Sequence, residues 1–311
     1  MKTYDKSKIN NLYEYFNVPN ISDIKRFRLF ENNTEFGDRS FSLIYAWQES
    51  FMYAYRIIEN TIAVLEYGID GKLSIILFYK ENTDIFSAVF ELYKIFSDFR
   101  LTLKFEYVSE KNILVYETAA KKFNKKAKVF FNPDDSDYFY ETSDFLALEG
   151  KYNKKKRSDT NYLIRNYPDI EVVSHSRENN IIETSIGIFD KWCDVHNCED
   201  CFYGCEKKAF LKFMEIFDEK YNKLCVSYYK GKPLSFALSE YIGNDTVCYY
   251  FQKNAERIRG LTYWLNAEMA KKHINIKYIN LGEDMGINGI KKDKESLRPS
   301  FLKPKYSVEI L

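Results

Sequence analysis

No apolar run in this chain is longer than a strand. The longest, Leu73 to Tyr79, holds seven residues with a serine inside it, far short of the ~20 that a membrane helix needs. Such runs recur in a fixed order. Phe51–Ile58, Thr61–Tyr67 and Leu73–Tyr79 read as strands, with Asn60 and Asp70-Gly71 in the breaks, which is hairpin punctuation. Asp84 to Phe99 then places Ile85, Val89, Leu92, Phe96 and Phe99 at spacings of three and four, the period of an amphipathic helix. Leu103–Val108 and Lys128–Phe131 return to strand character, after a helix at Asp23–Phe30 near the start. The order in this half is helices, antiparallel strands, a helix and further strand.

The course repeats. A helix from about Ser143, carrying Phe145, Leu146 and Leu148, runs through the basic stretch to before Pro168. A strand at Ile170–Ser174 and helices at about Ile181–His196 and Glu206–Tyr221 follow. Leu224–Tyr229, Leu234–Ile242 and Thr246–Gln252 are strand-like, a helix spans Gly260–Lys272, and Ile276–Leu281 and Tyr306–Ile310 are strands. At roughly 100–200 residues per domain, 311 residues allow about two. The turn Asn132-Pro133-Asp134-Asp135 divides them into 1–135 and 136–311.

Charge narrows the function classes. Lys+Arg is 46 and Asp+Glu is 45, so the net charge is +1. No global basic field exists to grip duplex DNA, and any nucleic-acid contact must be local. The N-terminal residues carry no apolar signal region. The expected location is cytoplasmic, or peripheral at the inner membrane surface. Six cysteines without a secretion signal then read as reduced thiols. Four of them, Cys193, Cys198, Cys201 and Cys205, cluster around His196. That spacing fits plain thiols, zinc, or an iron–sulfur or redox function, of which plain thiols is the leading reading.

The motif with the clearest mechanics is Arg257-Ile-Arg259-Gly260-Leu-Thr262, between hairpin strands and a helix. A helix N-terminus attracts anions, a glycine admits them closely, and Arg257 and Arg259 add charge. It resembles the Arg/Gln-x-x-Gly-x-Gly/Ala pyrophosphate loop of Gcn5-related acetyltransferases, with Thr262 where Gly or Ala is usual. An ordinary helix cap with exposed arginines is the alternative.

Two further stretches carry a wider resemblance. Asp137-Tyr-Phe-Tyr140 with Leu146 to Arg157, and Asn280 to Gly289 with Lys294, Pro299 and Tyr306, are similar to the C-terminal domain of phosphatidylglycerol lysyltransferase. That resemblance implies an α+β fold of two tandem acetyltransferase-like (GNAT) domains, each a mixed, mostly antiparallel sheet flanked by helices. It implies transfer of an amino acid from aminoacyl-tRNA to a polar acceptor: an anionic lipid headgroup, or a small amine or hydroxyl. Acetyl-CoA-dependent N-acetylation and a non-catalytic binding module are the alternatives. In the first half Asn82-Thr83-Asp84 stands where the Arg-x-x-Gly would be, so that half is expected to be structural. Glu283, Asp284, Lys294 and Glu240 are the expected catalytic groups. Arg257, Arg259, Gly260, Arg157, Lys154, Tyr138 and Tyr140 are expected to hold the donor, with the basic run from Lys151 to Arg157 gripping phosphates and the tyrosines stacking on adenine. For the basic run a solvated face is the alternative, and for the tyrosines a place in the core.

Overall fold

The computed structural model describes all residues except 1–5, 32–35, 69–70, 81, 177–179, 197–203, 244 and 274. Thirteen strands appear among the described residues: β1 (Ala54–Ile58), β2 (Thr61–Tyr67), β3 (Leu73–Tyr79), β4 (Leu103–Val108), β5 (Ala127–Phe131), β6 (Asp137–Glu141), β7 (Glu171–Ser174), β8 (Asn222–Tyr229), β9 (Lys232–Ile242), β10 (Thr246–Asn254), β11 (Tyr278–Asn280), β12 (Phe301–Lys303) and β13 (Tyr306–Ile310). They form two sheets, ordered β1-β2-β3-β4-β13-β5 and β12-β6-β11-β10-β9-β8-β7. Each sheet is antiparallel throughout except at one pair, β3 with β4 and β10 with β11. This is the tandem acetyltransferase-like α+β plan that the resemblance implied.

The chain divides into two compact units. Met1–Ser136 and Pro304–Leu311 belong to the first, and most of Asp137–Lys303 to the second. The expected division at 135/136 put residues 304–311 in the second half. Instead β13 pairs with β4 and β5 in the first sheet, and β6 takes the corresponding place in the second, between β11 and β12. Each sheet is thus closed by a strand from beyond a proline (Pro133 or Pro304), where the chain cannot donate a ladder hydrogen bond.

In the first unit the helix Phe86–Asp98 buries Val89, Leu92 and Phe96 of the stripe that its period predicted, and Ile95 beside them. They pack with Ile75, Leu77, Phe105 and Val308 of the sheet. The other face is aromatic, with Phe27 beside Phe41, Tyr55 and Phe78. In the second unit the helix Leu261–Ala270 is buried on all sides. Tyr263, Ala267 and Ala270 pack into one cluster, and Leu261, Trp264, Leu265 and Met269 into another. Phe189, Phe210 and Phe236 pack together in the core of this unit.

The long helix expected from Ser143 is broken. Thr142–Ala147 ends at Leu148 in the left-handed region (φ 49°), Gly150 turns the chain (φ 80°), and a new helix runs over Lys154–Asn166. The basic run begins before that helix, so Lys151, Lys154 and Lys155 form no single helical stripe. All three are exposed. No helix among the described residues is long and apolar enough to cross a membrane.

Candidate functional site: the opening between two parallel strands

β10 and β11 run together only from Thr246/Tyr278 to Cys248/Asn280. Beyond that β11 ends, while β10 continues to Asn254 with an irregularity in its pairing between Tyr249 and Phe251. Two adjoining pockets of about 440 and 390 Å³ occupy the opening and share Lys156, Thr262, Tyr263 and Asp293. In an α/β arrangement such a parting, at the carboxyl ends of parallel strands, is where ligands bind.

The outer pocket lies at the start of the helix Leu261–Ala270, where Gly260 (φ 84°) is the N-cap and no side chain caps the first turn. The first backbone N–H groups of a helix have no partner within it, and they carry partial positive charge. Arg257, exposed on the pocket wall, makes no ion pair among the described residues. Arg259 also lines it, but donates to Asp159 at 2.6 Å and to Ser158 at 3.3 Å. Of the two arginines in this motif, only Arg257 has no ion-pair partner among the described residues. The glycine has a second cause besides close approach of a ligand. A Cβ at Gly260 would lie 2.4 Å from the carbonyl oxygen of Asp159, so the helix packs against Lys154–Asn166 only if this residue lacks a side chain.

The inner pocket is lined by Tyr249, Gln252, Asn266, Leu281, Ile290 and Leu297. Two tyrosine hydroxyls are committed: Tyr249 donates to the carbonyl of Asn266 at 2.9 Å, and Tyr263 to the carbonyl of Phe145. Burial pushes both hydroxyls well above their ordinary pKa, so neither serves as a base. Lys294 sits at the rim, its Nζ donating to the carbonyls of Leu281 (2.6 Å) and Glu283 (2.5 Å). It is the one expected catalytic group that lines the pockets.

The other expected residues are placed elsewhere. Asp284 is 1% exposed, accepts from the Tyr138 hydroxyl at 2.6 Å and the Gly286 N–H at 2.8 Å, and holds the loop after β11. Glu283 is half-buried in that loop and lines neither pocket. Glu240 faces away from the cleft. Ser239 beside it reaches Met269 and His273 on the helix side, so alternation turns Glu240 to the opposite face, where it accepts from Asn222 at 3.2 Å. Tyr138 and Tyr140 are core residues, 2% and 1% exposed, and the Tyr140 hydroxyl bonds to the carbonyl of Lys294. No face of either is open for a base to stack on. Arg157 is spent on the carbonyls of Leu148 and Gly150, satisfying the broken helix end. Lys154 is exposed and lines neither pocket.

Lys156 was not singled out from the sequence, yet it lines both pockets and pairs with Asp293 at 3.3 Å. A signal existed: counting back from the apolar anchor Leu163 by four and seven reaches Asp159 and Lys156, both on the inward face. In the cysteine cluster, Cys198 and Cys201 lie outside the described residues. Cys193 sits on the helix Ile181–His196, Cys205 caps the helix Glu206–Met214, and His196 donates to the carbonyl of Trp192 at 2.9 Å.

Residues 31–309 match the family described as phosphatidylglycerol lysyltransferase, C-terminal, and the chain belongs to that family. Among curated proteins it is 26% identical over 179 residues to the uncharacterized protein MYCGA3080 of Mycoplasmoides gallisepticum. The match covers 57% of this chain and 56% of that protein, so the chain spans about half the length of the curated relative it matches. A conserved protein of unknown function from Bacteroides thetaiotaomicron superposes with TM-score 0.86 at 22% identity, covering 95% of this chain and 99% of the other. The C-terminal domain of a putative lysylphosphatidylglycerol synthetase from Agrobacterium fabrum superposes at 0.66 and 13% identity, covering 94% and 92%. At these identities the likeness to solved structures is one of fold.

Proposed function

We propose that the second unit transfers an aminoacyl group from aminoacyl-tRNA to a polar acceptor, an anionic lipid headgroup or a small amine or alcohol. The carrying observation is the opening between β10 and β11, with a helix N-terminus that no side chain caps and Arg257, without an ion pair among the described residues, at one end and Lys294 at the other. The terminal phosphate of the donor sits on the Thr262 and Tyr263 amides and Arg257. The ester carbonyl lies toward Lys294, whose fixed charge favours the oxygen as it becomes negative. The acceptor's nucleophilic atom bonds to the carbonyl carbon, the bond to the ribose oxygen breaks, and the acceptor's proton passes to that oxygen. The ester is already activated, so holding both reactants together supplies much of the rate.

The test is incubation of the full chain with labelled aminoacyl-tRNA and a mixture of anionic lipids and small amines. Label should appear in an acceptor, at a rate reduced about tenfold in Arg257→Ala, the loss of roughly 1.4 kcal/mol that one charge-assisted contact represents. No transfer from any aminoacyl-tRNA, with thermal stabilisation by coenzyme A, would replace this reading with acetyl transfer.

A further inference from the structure

The inner pocket holds one acceptor whose orientation its neighbours dictate. The carbonyl oxygen of Thr262 can only accept, and Gln252 Nε2 donates to it at 3.1 Å. That turns Gln252 Oε1 toward Asn266, whose Nδ2 donates to it at 3.1 Å. Asn266 therefore presents Oδ1 as its remaining polar atom. The residue is 5% exposed, and this oxygen has no hydrogen-bond partner among the described residues. A buried acceptor left without a donor is costly, and buried polar groups in folded proteins nearly always have one. The oxygen itself is buried, so a ligand N–H in the pocket that Asn266 lines reaches it through a small turn of the amide.

The rest of the wall is apolar or already paired. Leu281, Ile290 and Leu297 offer hydrocarbon, and the hydroxyls of Tyr249 and Tyr263 are bonded to protein carbonyls. Asp293 is the one carboxylate among the lining residues, and Lys156 holds it at 3.3 Å. Lys294 adds a second cation. Asp293 is largely exposed and already pairs with Lys156, so a positively charged side chain brought here would meet two ammonium groups and share one solvent-screened carboxylate.

We propose that the inner pocket selects an α-aminoacyl group with a neutral, apolar side chain, its α-amino N–H donating to Asn266 Oδ1 and its side chain lying against Leu281, Ile290 and Leu297, and that it discriminates against lysyl. This rests on the aminoacyl reading above and adds the identity of the acyl group.

Calorimetric titration of the full chain with amino-acid amides tests it without requiring turnover. Leucinamide or phenylalaninamide should bind at least tenfold more tightly than lysinamide. Isocaproamide, which is leucinamide without its amine, should also lose at least tenfold. In Asn266→Leu the gap between leucinamide and isocaproamide should close. If that variant fails to fold, the ligand pair on the unaltered chain decides the point. Lys156→Met releases Asp293 and should narrow or reverse the deficit of lysinamide. Lysinamide binding as tightly as leucinamide, isocaproamide binding equally well, or no amide binding at all would each overturn the inference. The transfer assay separates the two claims. Equal rates from lysyl-tRNA and leucyl-tRNA retain aminoacyl transfer and remove the apolar selectivity, whereas no transfer from either removes the reading on which it stands.

Discussion

Apart from the extra strand β7 of the second, the two sheets share one construction and differ where their parallel strands part. Each has a single parallel pair that parts after two or three residues. In the second unit the gap beyond Cys248 and Asn280 opens into the pockets described above. In the first unit β3 and β4 stay paired only at Ile75/Phe105 and Ile76/Glu106. Just beyond, the Arg39 guanidinium donates to the carbonyl of Leu77 and stacks 4.8 Å from the centre of the Tyr79 ring, with Arg39 5% exposed. A side chain of the protein occupies in one unit the place that stands open in the other. The lesson is that parting strands create unsatisfied backbone and a hollow. The chain must either fill them or leave them for a ligand.

Four substitutions or conditions break or sharpen this contrast. The largest effect is expected at Gly260→Val. A Cβ there lies 2.4 Å from the Asp159 carbonyl oxygen and 3.2 Å from the Thr160 nitrogen, at φ 84°. Both contacts are backbone and cannot swing away, so a loss of about 3–5 kcal/mol in denaturant titration is expected, centred on the open unit.

Acid should next distinguish the units, because all three histidines lie between residues 137 and 303. Burial, with Lys223 nearby, pushes His273 down to about 4. Folded His273 stays neutral below pH 6.5 while the unfolded chain takes up a proton there. Stability is therefore lost as pH falls from 6.5 toward 4, by on the order of 3 kcal/mol from this group. Urea midpoints measured across that range should slope less steeply in His273→Gln. An unchanged slope would show that His273 does not titrate this way.

Because Arg39 fills the parting in the first unit, Arg39→Met is expected to be a stability variant without a functional effect. About 2–3 kcal/mol should be lost, as for a buried charged hydrogen bond, with the aminoacyl-transfer rate within twofold of the unaltered chain. A collapse of transfer at unchanged stability would instead make the first unit part of the chemistry. The smallest effect belongs to Arg259→Ala, whose exposed pair with Asp159 should contribute under about 1 kcal/mol. Its transfer rate should fall much less than that of Arg257→Ala, because only Arg257 has no ion-pair partner among the described residues.

Local pattern made much of this molecule legible. The strands at Thr61–Tyr67 and Leu73–Tyr79 and the helix Ile181–His196 stand where alternation, turn residues and helical period put them. Those signals are carried by neighbours in the chain, and so are the motifs that resemble the family. The helix Ile113–Lys122 went unread, and its outline is weak because few of its residues are buried. The break at Leu148–Gly150 was also missed, since the left-handed turn depends on Arg157 reaching back to its carbonyls.

Residue type, spacing and turn chemistry were enough to set the course of strands and helices and the motifs at Arg257–Thr262, 137–157 and 280–306, and the resemblance those motifs carry implied the fold class, because periodicity, turns and motifs are all written in nearby residues. Which polar groups face the cleft was decided only by packing between distant segments. Asp284 meets Tyr138 across 146 positions and Lys156 meets Asp293 across 137, and the face of β9 that Glu240 occupies follows from where the helix Leu261–Ala270 lies. Asp284 and Asp293, nine positions apart, look alike along the chain. Contact with the rest of the structure turned one into a loop anchor and the other into a wall of the cleft.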